Sequence, residues 1–292
     1  MKVLYLPIDN IAKTMKLIAV SGLNRTEWKV IDGPTNEPIL TECLNPYMLS
    51  RKEISRKIRL CLPESFFKGR FSNVYFYGTG CFLQERKNIV AASLIAQFRT
   101  DVQVSCDLLG AARALYQKES GIACVLEKGS GSCLYDGNEM VRYVLSGGFA
   151  MGDEGGGSNI GRFFLGDVLK DLPPQSMIDA FTQEFHLDKR GIMNRVYCQP
   201  QPQQFFCDVA LFLSRYTHDE YVNRLISFGF RLFFKRNVCQ LGIKEHPVRI
   251  VGTIAYAYKD LLQQVAREFG VEECRIERSP MDGLVTYHKE NG

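Results

Sequence analysis

The sequence predicts a two-domain α/β fold, with helices on both faces of largely parallel sheets. Short apolar runs typical of strands alternate with segments of helical spacing along the 292 residues. The order strand, loop, strand, strand, helix occurs twice, without obvious sequence identity between the two copies. The length suits one large or two medium domains, and 46% hydrophobic with 23% charged residues is ordinary for a globular chain.

The first half of the chain contains the first copy of this pattern. Strands are predicted at residues 16–20, 28–31, 39–42, 74–77 and 102–106. Pro34 and Asn36 indicate a turn after the second of these strands. Ser50 and Glu53 have the spacing of a capping box, which predicts that a helix begins there. Two further helices are predicted at residues 88–98 and 108–116.

The pattern restarts after residues 117–121, where no long linker is present. Strands are predicted at residues 122–126, 133–135, 141–145, 248–251 and 275–277. Asp136 and Gly137 indicate a hairpin turn. Several helices are expected between about residues 160 and 241, one more ends near Phe269, and a terminal helix follows Pro280.

Composition and charge exclude several classes of protein. No run approaches the roughly 18 apolar residues of a membrane helix, and Pro7 and Asp9 interrupt what would be a signal peptide. A net charge of +4 without basic blocks gives no nucleic-acid footprint. The ten cysteines include no C-x-x-C pair, and the four histidines have no ligand spacing. We expect a cytoplasmic protein with reduced thiols, no metal site, and no membrane or nucleic-acid partner.

Glycine is concentrated in the middle of the chain, where 12 of the 25 glycines lie between Gly110 and Gly161. Small residues allow the backbone to approach a ligand closely. Within residues 147–157, Asp153 and Glu154 lie among glycines and offer acceptors for hydroxyl groups or for the water shell of a metal. A flexible loop is the alternative, and we favour a ligand site.

Other candidate site residues each have a structural alternative. Asp107 follows the strand at residues 102–106, so it can accept a proton from a substrate hydroxyl, cap the next helix, or do both. Residues 128–132 can hold phosphate through backbone N–H groups or simply form a tight turn. Gly252 has the same two interpretations. Asn45 either binds a polar ligand or initiates a turn with the proline after it.

The segments that contain these residues resemble the N-acetylglucosamine kinase and BadF/BadG-type ATPase group of the actin–hexokinase–Hsp70 superfamily. The most specific similarities lie in residues 107–115, 151–155, 252–256 and 278–284. The resemblance implies a duplicated actin-like (ribonuclease H-like) core, with ATP and sugar in an interdomain cleft. It places an N-terminal extension at residues 1–14, domains at 15–117 and 118–292, and a helical insertion at about 160–241. The terminal helix is a candidate to return to the first domain.

The resemblance also implies ATP- and Mg²⁺-dependent phosphorylation of an amino sugar such as N-acetylglucosamine. Asp107 would be the general base that accepts the proton of the attacking hydroxyl. The residues expected to hold the sugar are Asn45, Gly148, Asp153 and Glu154. Those expected to hold ATP are Ser21, Gly22, Asn24 and Thr26 in a first phosphate loop, Lys128, Gly129 and Ser130 in a second, and Gly252 near the adenosine. A homodimer is a candidate state, because dimers are common among similar kinases.

The first phosphate loop departs from the family pattern, which reads approximately Asp-Ser-Gly-Ser-Thr-Lys-Thr. Residues 20–26 read Val-Ser-Gly-Leu-Asn-Arg-Thr. Val20 replaces the acidic residue that would order the Mg²⁺ waters, and Leu23 replaces a small hydroxyl residue. Binding of both ATP and Mg²⁺ is therefore in question.

The second phosphate loop departs as well, since the family reads Gly-Thr-Gly-Ser-Asn-Ser and residues 127–132 read Glu-Lys-Gly-Ser-Gly-Ser. Glu127 would repel phosphate, whereas Lys128 would attract it. The sugar-side residues Asn45, Asp107 and Asp153 remain. The sequence therefore predicts an amino-sugar kinase-like protein with altered phosphate loops. A sugar-binding pseudokinase or regulator is the main alternative, and a BadF-type ATPase is a further one.

Overall fold

The computed structural model describes residues 15–32, 37–68 and 71–291. Contacts divide the chain into two compact units, the first ending at Ser105 and the second beginning at Cys106. Each unit is built on a five-stranded sheet. The predictions for residues 1–14 and for a turn at Pro34 and Asn36 lie outside the described residues.

The first unit packs two main helices against one face of its sheet. Its elements are β1 Met15–Ser21, β2 Arg25–Ile31, β3 Ile39–Glu42, α1 Arg51–Cys61, α2 Ser65–Lys68, β4 Phe71–Gly78, α3 Gln84–Phe98 and β5 Asp101–Cys106. Leu17 and Ala19 lie on one face of β1 and pack in one cluster with Ile54 of α1 and Val90 of α3, while Ile18 is buried on the other face. The predicted capping box is confirmed, because Ser50 caps α1 and the Glu53 carboxylate accepts from the Ser50 N–H at 2.8 Å.

The second unit carries the helical insertion between its third and fourth strands. Its elements are α4 Asp107–Tyr116, β6 Gly121–Leu126, β7 Ser130–Tyr135, β8 Met140–Val144, α5 Gly148–Met151, α6 Gly157–Val168, α7 Gln175–Phe185, α8 Lys189–Tyr197, α9 Pro202–Leu213, α10 Glu220–Arg236, β9 Val248–Val251, α11 Thr253–Ala257, α12 Lys259–Glu268, β10 Arg275–Glu277 and α13 Met281–Asn291. Fully buried aromatic side chains such as Phe164, Phe181 and Phe230 fill the core between these helices and the sheet.

The two sheets have the same topology, which confirms the predicted duplication. Their strand orders are β3-β2-β1-β4-β5 and β8-β7-β6-β9-β10. In each sheet the first three strands form an antiparallel meander, and the fourth strand lies parallel to the first. The expectation of largely parallel sheets is therefore wrong, and both sheets are mixed. Short connections between consecutive strands reverse the chain direction, so they produce antiparallel pairs.

The helix α4 packs with the second unit. Its apolar face shares a core cluster with Ala123 of β6 and Cys133 of β7. The terminal helix α13 lies against α4 so closely that a Cβ at Gly283 would overlap the Ala114 carbonyl oxygen. The unit boundary thus lies before α4, whereas the boundary expected from the sequence lies at residue 117, after that helix.

The predicted hairpin turn at Asp136 and Gly137 is confirmed. It joins β7 to β8 over residues 136–139, and the Asp136 carboxylate accepts from the N–H groups of Asn138 and Glu139, both at 2.8 Å. The helix predicted to end near Phe269 is divided at Tyr258 into α11 and α12. In the described ranges of the chain, no helix has both the length and the apolar character needed to span a membrane.

Candidate functional site

The first predicted phosphate loop is the tight turn between β1 and β2. The Gly22 N–H donates to the Arg25 carbonyl at 3.0 Å, and Asn24 is exposed at the tip. The hydroxyl of Thr26 is buried and lies 2.9 Å from both the Ser21 hydroxyl and the Glu42 carbonyl oxygen. The Ser21 hydroxyl also accepts from the N–H of Leu44 at 3.0 Å. These two side chains therefore tie the turn to β3 and its following segment, and their contact with phosphate stays a prediction.

Val20 lies on the sheet face opposite to the Leu17 and Ala19 core. It pairs in register with Tyr77 of the parallel strand β4, and its side chain is half-buried. A valine side chain has no oxygen with which to bind Mg²⁺ or its water shell. The position therefore contributes no charge to the first loop.

Asn45 forms a turn in the first unit. Its side-chain oxygen accepts from the Tyr47 N–H at 2.9 Å, and its carbonyl accepts from the N–H groups of Met48 and Leu49 at 3.0 Å. A Cβ at Gly80 would lie 2.6 Å from the same side-chain oxygen. The interpretation of Asn45 as a turn residue is confirmed, and its contact with the sugar stays a prediction.

The second predicted phosphate loop joins β6 to β7 and lies against the beginning of α6. The carbonyl oxygens of Glu127 and Lys128 accept from the N–H groups of Gly157 and Ser158 at 2.9 and 2.8 Å. Lys128 itself is buried. The first N–H groups of α6, which a helix leaves without internal partners, are thus satisfied by this loop.

Asp153 lies against the second loop. Its side chain is buried, and Oδ1 accepts from the Ser130 N–H at 3.3 Å. Gly129 leaves room for this contact, because a Cβ there would lie 2.9 Å from the same oxygen. Burial raises the pKa of the Asp153 carboxyl to about 6, with a further rise from the charge of Glu154 and an opposing effect of the Ser130 N–H.

Glu154 points to a different partner. Its carboxylate lies 3.0 Å from Nε of Arg236 and accepts from the Asn237 side-chain amide at 3.3 Å. Both partners lie at the end of α10. Glu154 is therefore bonded to residues of the helical insertion. Its contact with substrate stays a prediction.

Glu127 and Gly252 meet at the turn between β9 and α11. A Cβ at Gly252 would overlap the Leu126 carbonyl oxygen, so the close approach requires glycine. Both the N–H and the hydroxyl of Thr253 donate to Oε1 of Glu127, at 2.8 and 3.1 Å. The sequence predicted that Glu127 would repel phosphate, but it did not predict Thr253 as its partner.

Asp107 is the first residue of α4 and directly follows β5. Cys106 occupies the N-cap position, so the alternative in which Asp107 caps the helix is wrong, and the Asp107 carboxylate accepts from the adjacent Leu108 N–H at 3.0 Å. The Leu108 side chain packs against Gly131 near the start of β7. Asp107 therefore lies at the end of the second sheet that carries the second loop, and its side chain is half-buried.

Gly148 begins the short helix α5 and is exposed. Its φ of +70° is in the left-handed region, and no atom lies within 4 Å of the position a Cβ would take. The backbone conformation favours glycine at this position, and the space beside it is open.

The donor set of the two loops differs from the one with which the family pattern would hold Mg-ATP. Val20 offers no oxygen in the first loop. In the second unit, the N–H groups of Ser130 and Thr253 are bonded to the carboxylates of Asp153 and Glu127. Phosphate would therefore have to displace negatively charged groups from these two N–H donors.

No family model matches the chain, and no curated protein matches it. Solved structures do match. A candidate N-acetylglucosamine kinase from Porphyromonas gingivalis is 33% identical with a TM-score of 0.89, over 94% of this chain and 99% of that one. A candidate N-acetylglucosamine kinase from Chromobacterium violaceum is 17% identical with a TM-score of 0.71, over 94% and 98% of the two chains. A ROK-family glucokinase from Streptomyces griseus, solved with glucose and AMPPNP, is 12% identical with a TM-score of 0.54, over 94% and 98%.

The second and third similarities show the shared fold alone, whereas the first extends to sequence. It spans nearly the whole of both chains, and the duplicated sheets described above have the topology that the resemblance implied. The chain therefore belongs to the N-acetylglucosamine kinase-like family of actin-like sugar kinases.

Proposed function

We propose that the chain binds an N-acetylated amino sugar, such as N-acetylglucosamine, and phosphorylates it slowly from ATP. The observation that carries this proposal is Asp107, a half-buried carboxylate at the start of α4. The second loop lies at the same end of the second sheet. Membership of the family supports the substrate class, because the Porphyromonas gingivalis relative is named as a candidate N-acetylglucosamine kinase.

Asp107 has the chemistry of a general base for a sugar hydroxyl. Its carboxylate lies in the first turn of α4, directly after β5. Seven of the nine residues from Leu108 to Tyr116 are buried, and this burial fixes the position of the backbone that carries Asp107. Phosphoryl transfer depends chiefly on positioning and on charge stabilisation, so a fixed proton acceptor is a large part of what the protein must supply.

Other residues would position the sugar. Asp153 offers an acceptor beside the second loop, and Gly148 offers open space beside its backbone. Asn45 offers a side-chain amide in the first unit. Glu154 would act indirectly, by fixing the segment through Arg236. ATP supplies the phosphoryl group when it is bound, and the altered donor set is the reason that we propose slow turnover. Loss of one positioned charged group costs about 10²–10³ in rate in comparable reactions.

A sugar-binding regulator without phosphotransferase activity is the second candidate function. It is favoured by Val20, which removes the acidic group from the first loop, together with the bond between Glu127 and Thr253 in the second unit. In that case the same residues would hold the sugar, and binding itself would be the output.

Calorimetry and a turnover assay separate the two candidates. We expect N-acetylglucosamine or N-acetylmannosamine to bind more tightly than glucose, and we expect slow sugar-dependent release of ADP. Asp107→Asn should lower that release by about 10²–10⁴ because it removes the proton acceptor and keeps the shape. Sugar binding without turnover at any ATP-Mg concentration would favour the regulator, and no binding of any N-acetylated sugar would contradict both candidates.

A further inference from the structure

The N–H donors around the second loop are engaged by the protein itself. Those of Gly157 and Ser158 donate to loop carbonyls, and that of Ser130 donates to Asp153. At the neighbouring turn after β9, the N–H and hydroxyl of Thr253 both donate to Glu127. These four N–H groups are therefore already bonded, whereas the buried hydroxyl groups of Ser130 and Ser132 have no hydrogen-bond partner among the described residues.

Glu127 brings a negative charge to the turn after β9, as Asp153 does beside Ser130. Its carboxylate is half-buried and is held by two donors of Thr253 on one oxygen. Charge-assisted hydrogen bonds of this kind are stronger than bonds between neutral groups. A polyphosphate that approached this turn would lose access to the two donors and would also be repelled by the carboxylate.

We propose that Glu127 is a specificity-determining residue, whose carboxylate occupies the donors of Thr253 at the turn after β9 and so weakens the binding of ATP relative to that of uncharged adenosine. The inference rests on the proposed function because it takes ATP to bind this chain, and it takes from the family resemblance that the nucleotide lies beside Gly252. Lys128 lies in the same loop and would attract phosphate. Weaker binding of ATP than of adenosine therefore requires that the Glu127 carboxylate, which is bonded to Thr253, outweighs this attraction.

The test compares ATP and adenosine binding by calorimetry, without Mg²⁺ and without sugar. In Glu127→Gln the amide oxygen can still accept from Thr253, while the charge is removed. We expect this variant to bind ATP at least tenfold more tightly than the unmodified chain, and to bind adenosine within about twofold of it. Tenfold corresponds to about 1.4 kcal/mol.

The matched control is Glu119→Gln, which removes an equal charge from an exposed carboxylate of the same unit, paired with Arg249 at 2.6 Å. This control should leave ATP affinity unchanged. An equal gain in Glu119→Gln would attribute the effect to net charge and overturn the proposal. So would a gain below about threefold in Glu127→Gln, or an unmodified chain that binds ATP more than tenfold tighter than adenosine.

Sugar binding is measured separately on the same variants. Affinity for N-acetylglucosamine should be the same in the unmodified chain and in Glu127→Gln, which also shows that the variant is folded. Failure of every N-acetylated sugar to bind would count against the proposed function. The ratio of ATP to adenosine affinity would still decide the role of Glu127.

Discussion

Asp153 and Glu154 are adjacent buried carboxylates with different means of stabilisation. Glu154 has a guanidinium partner in Arg236, whereas Asp153 accepts from the neutral Ser130 N–H. The left-handed backbone at Asp153, with φ of +55°, is a conformation that few residues other than glycine adopt readily. The cost of burying two charges side by side therefore falls mainly on Asp153, whose pKa is raised by burial to about 6.

This raised pKa predicts a pH dependence of stability. Because the folded pKa lies above the ordinary value of 3.8, the folded state holds the proton more tightly than the unfolded state. The contribution of Asp153 to stability is therefore fully present below about pH 4 and is lost as the pH rises through 6. A rise of two pKa units corresponds to at most about 3 kcal/mol in the free energy of unfolding.

Asp153→Asn should remove this pH dependence, because an amide does not ionise, while leaving an oxygen that can accept from the Ser130 N–H. Urea unfolding of both proteins at pH 4.5, 5.5 and 7 measures the difference between their free energies of unfolding. We expect the difference to change across this range in favour of the variant at higher pH. A constant difference between the two proteins would contradict the raised pKa.

Contacts between residues that are near in sequence were predictable, and those between distant residues were not. The Ser50 and Glu53 capping box follows from spacing alone, because both partners lie in one helical turn. The partner of Glu127, Thr253, lies 126 positions away and becomes a neighbour only because β6 and β9 are parallel neighbours in the sheet. The partner of Glu154, Arg236, is likewise distant in sequence and lies at the end of α10.

At the scale of secondary-structure elements, close contact between α6 and α9 positions the second loop. A Cβ at Gly161 would overlap the Phe206 carbonyl oxygen, so glycine allows the two helices to approach. Gly157, one turn earlier, faces Cys207 in the same way, with 2.6 Å between its Cβ position and the sulfur. The first residues of α6 in turn bond the carbonyls of the second loop. Helix packing is thus coupled to loop geometry.

Gly161→Ala should therefore lower the free energy of unfolding by about 1–3 kcal/mol, because the added methyl forces the helices apart. Gly166→Ala in the same helix is the matched control, since no atom lies within 4 Å of its Cβ position. Alanine is favoured over glycine inside a helix by about 0.5–1 kcal/mol, so the control should be neutral or stabilising. Denaturant unfolding measures both, and equal effects would contradict the close-packing argument.

At the scale of the whole molecule, the duplicated topology gives each unit its own β-hairpin turn after the first strand. The first turn follows β1 and contains Gly22, and the second follows β6 and contains Gly129. The sequence predicted this duplication because the order of strands and helices repeats, but its prediction of largely parallel strands is wrong, because strand direction depends on which strands pair. Both hairpins carry a substitution unfavourable to phosphate, Val20 near the end of β1 beside the first turn and Glu127 within the second turn. The departure from the family pattern is thus shared by both halves.

Restoring both turns should therefore raise phosphotransferase activity more than restoring either one. Val20→Asp with Leu23→Ser returns an acidic group and a hydroxyl to the first turn, and Glu127→Gly returns the family residue to the second. Each restored charge interaction is expected to contribute about 10²–10³ in rate if the rest of the machinery is present. Sugar-dependent ADP release at saturating ATP-Mg measures the gain.

Adding Asp107→Asn to the restored chain provides the control, because a gain that survives loss of the proton acceptor does not come from sugar phosphorylation. We expect the added substitution to return the rate to that of the unmodified chain or below it. A restored chain that binds ATP-Mg and the sugar but shows no increase in rate would contradict the view that the altered turns limit a family-type kinase. Such a result would favour the regulator, whose output is sugar binding alone.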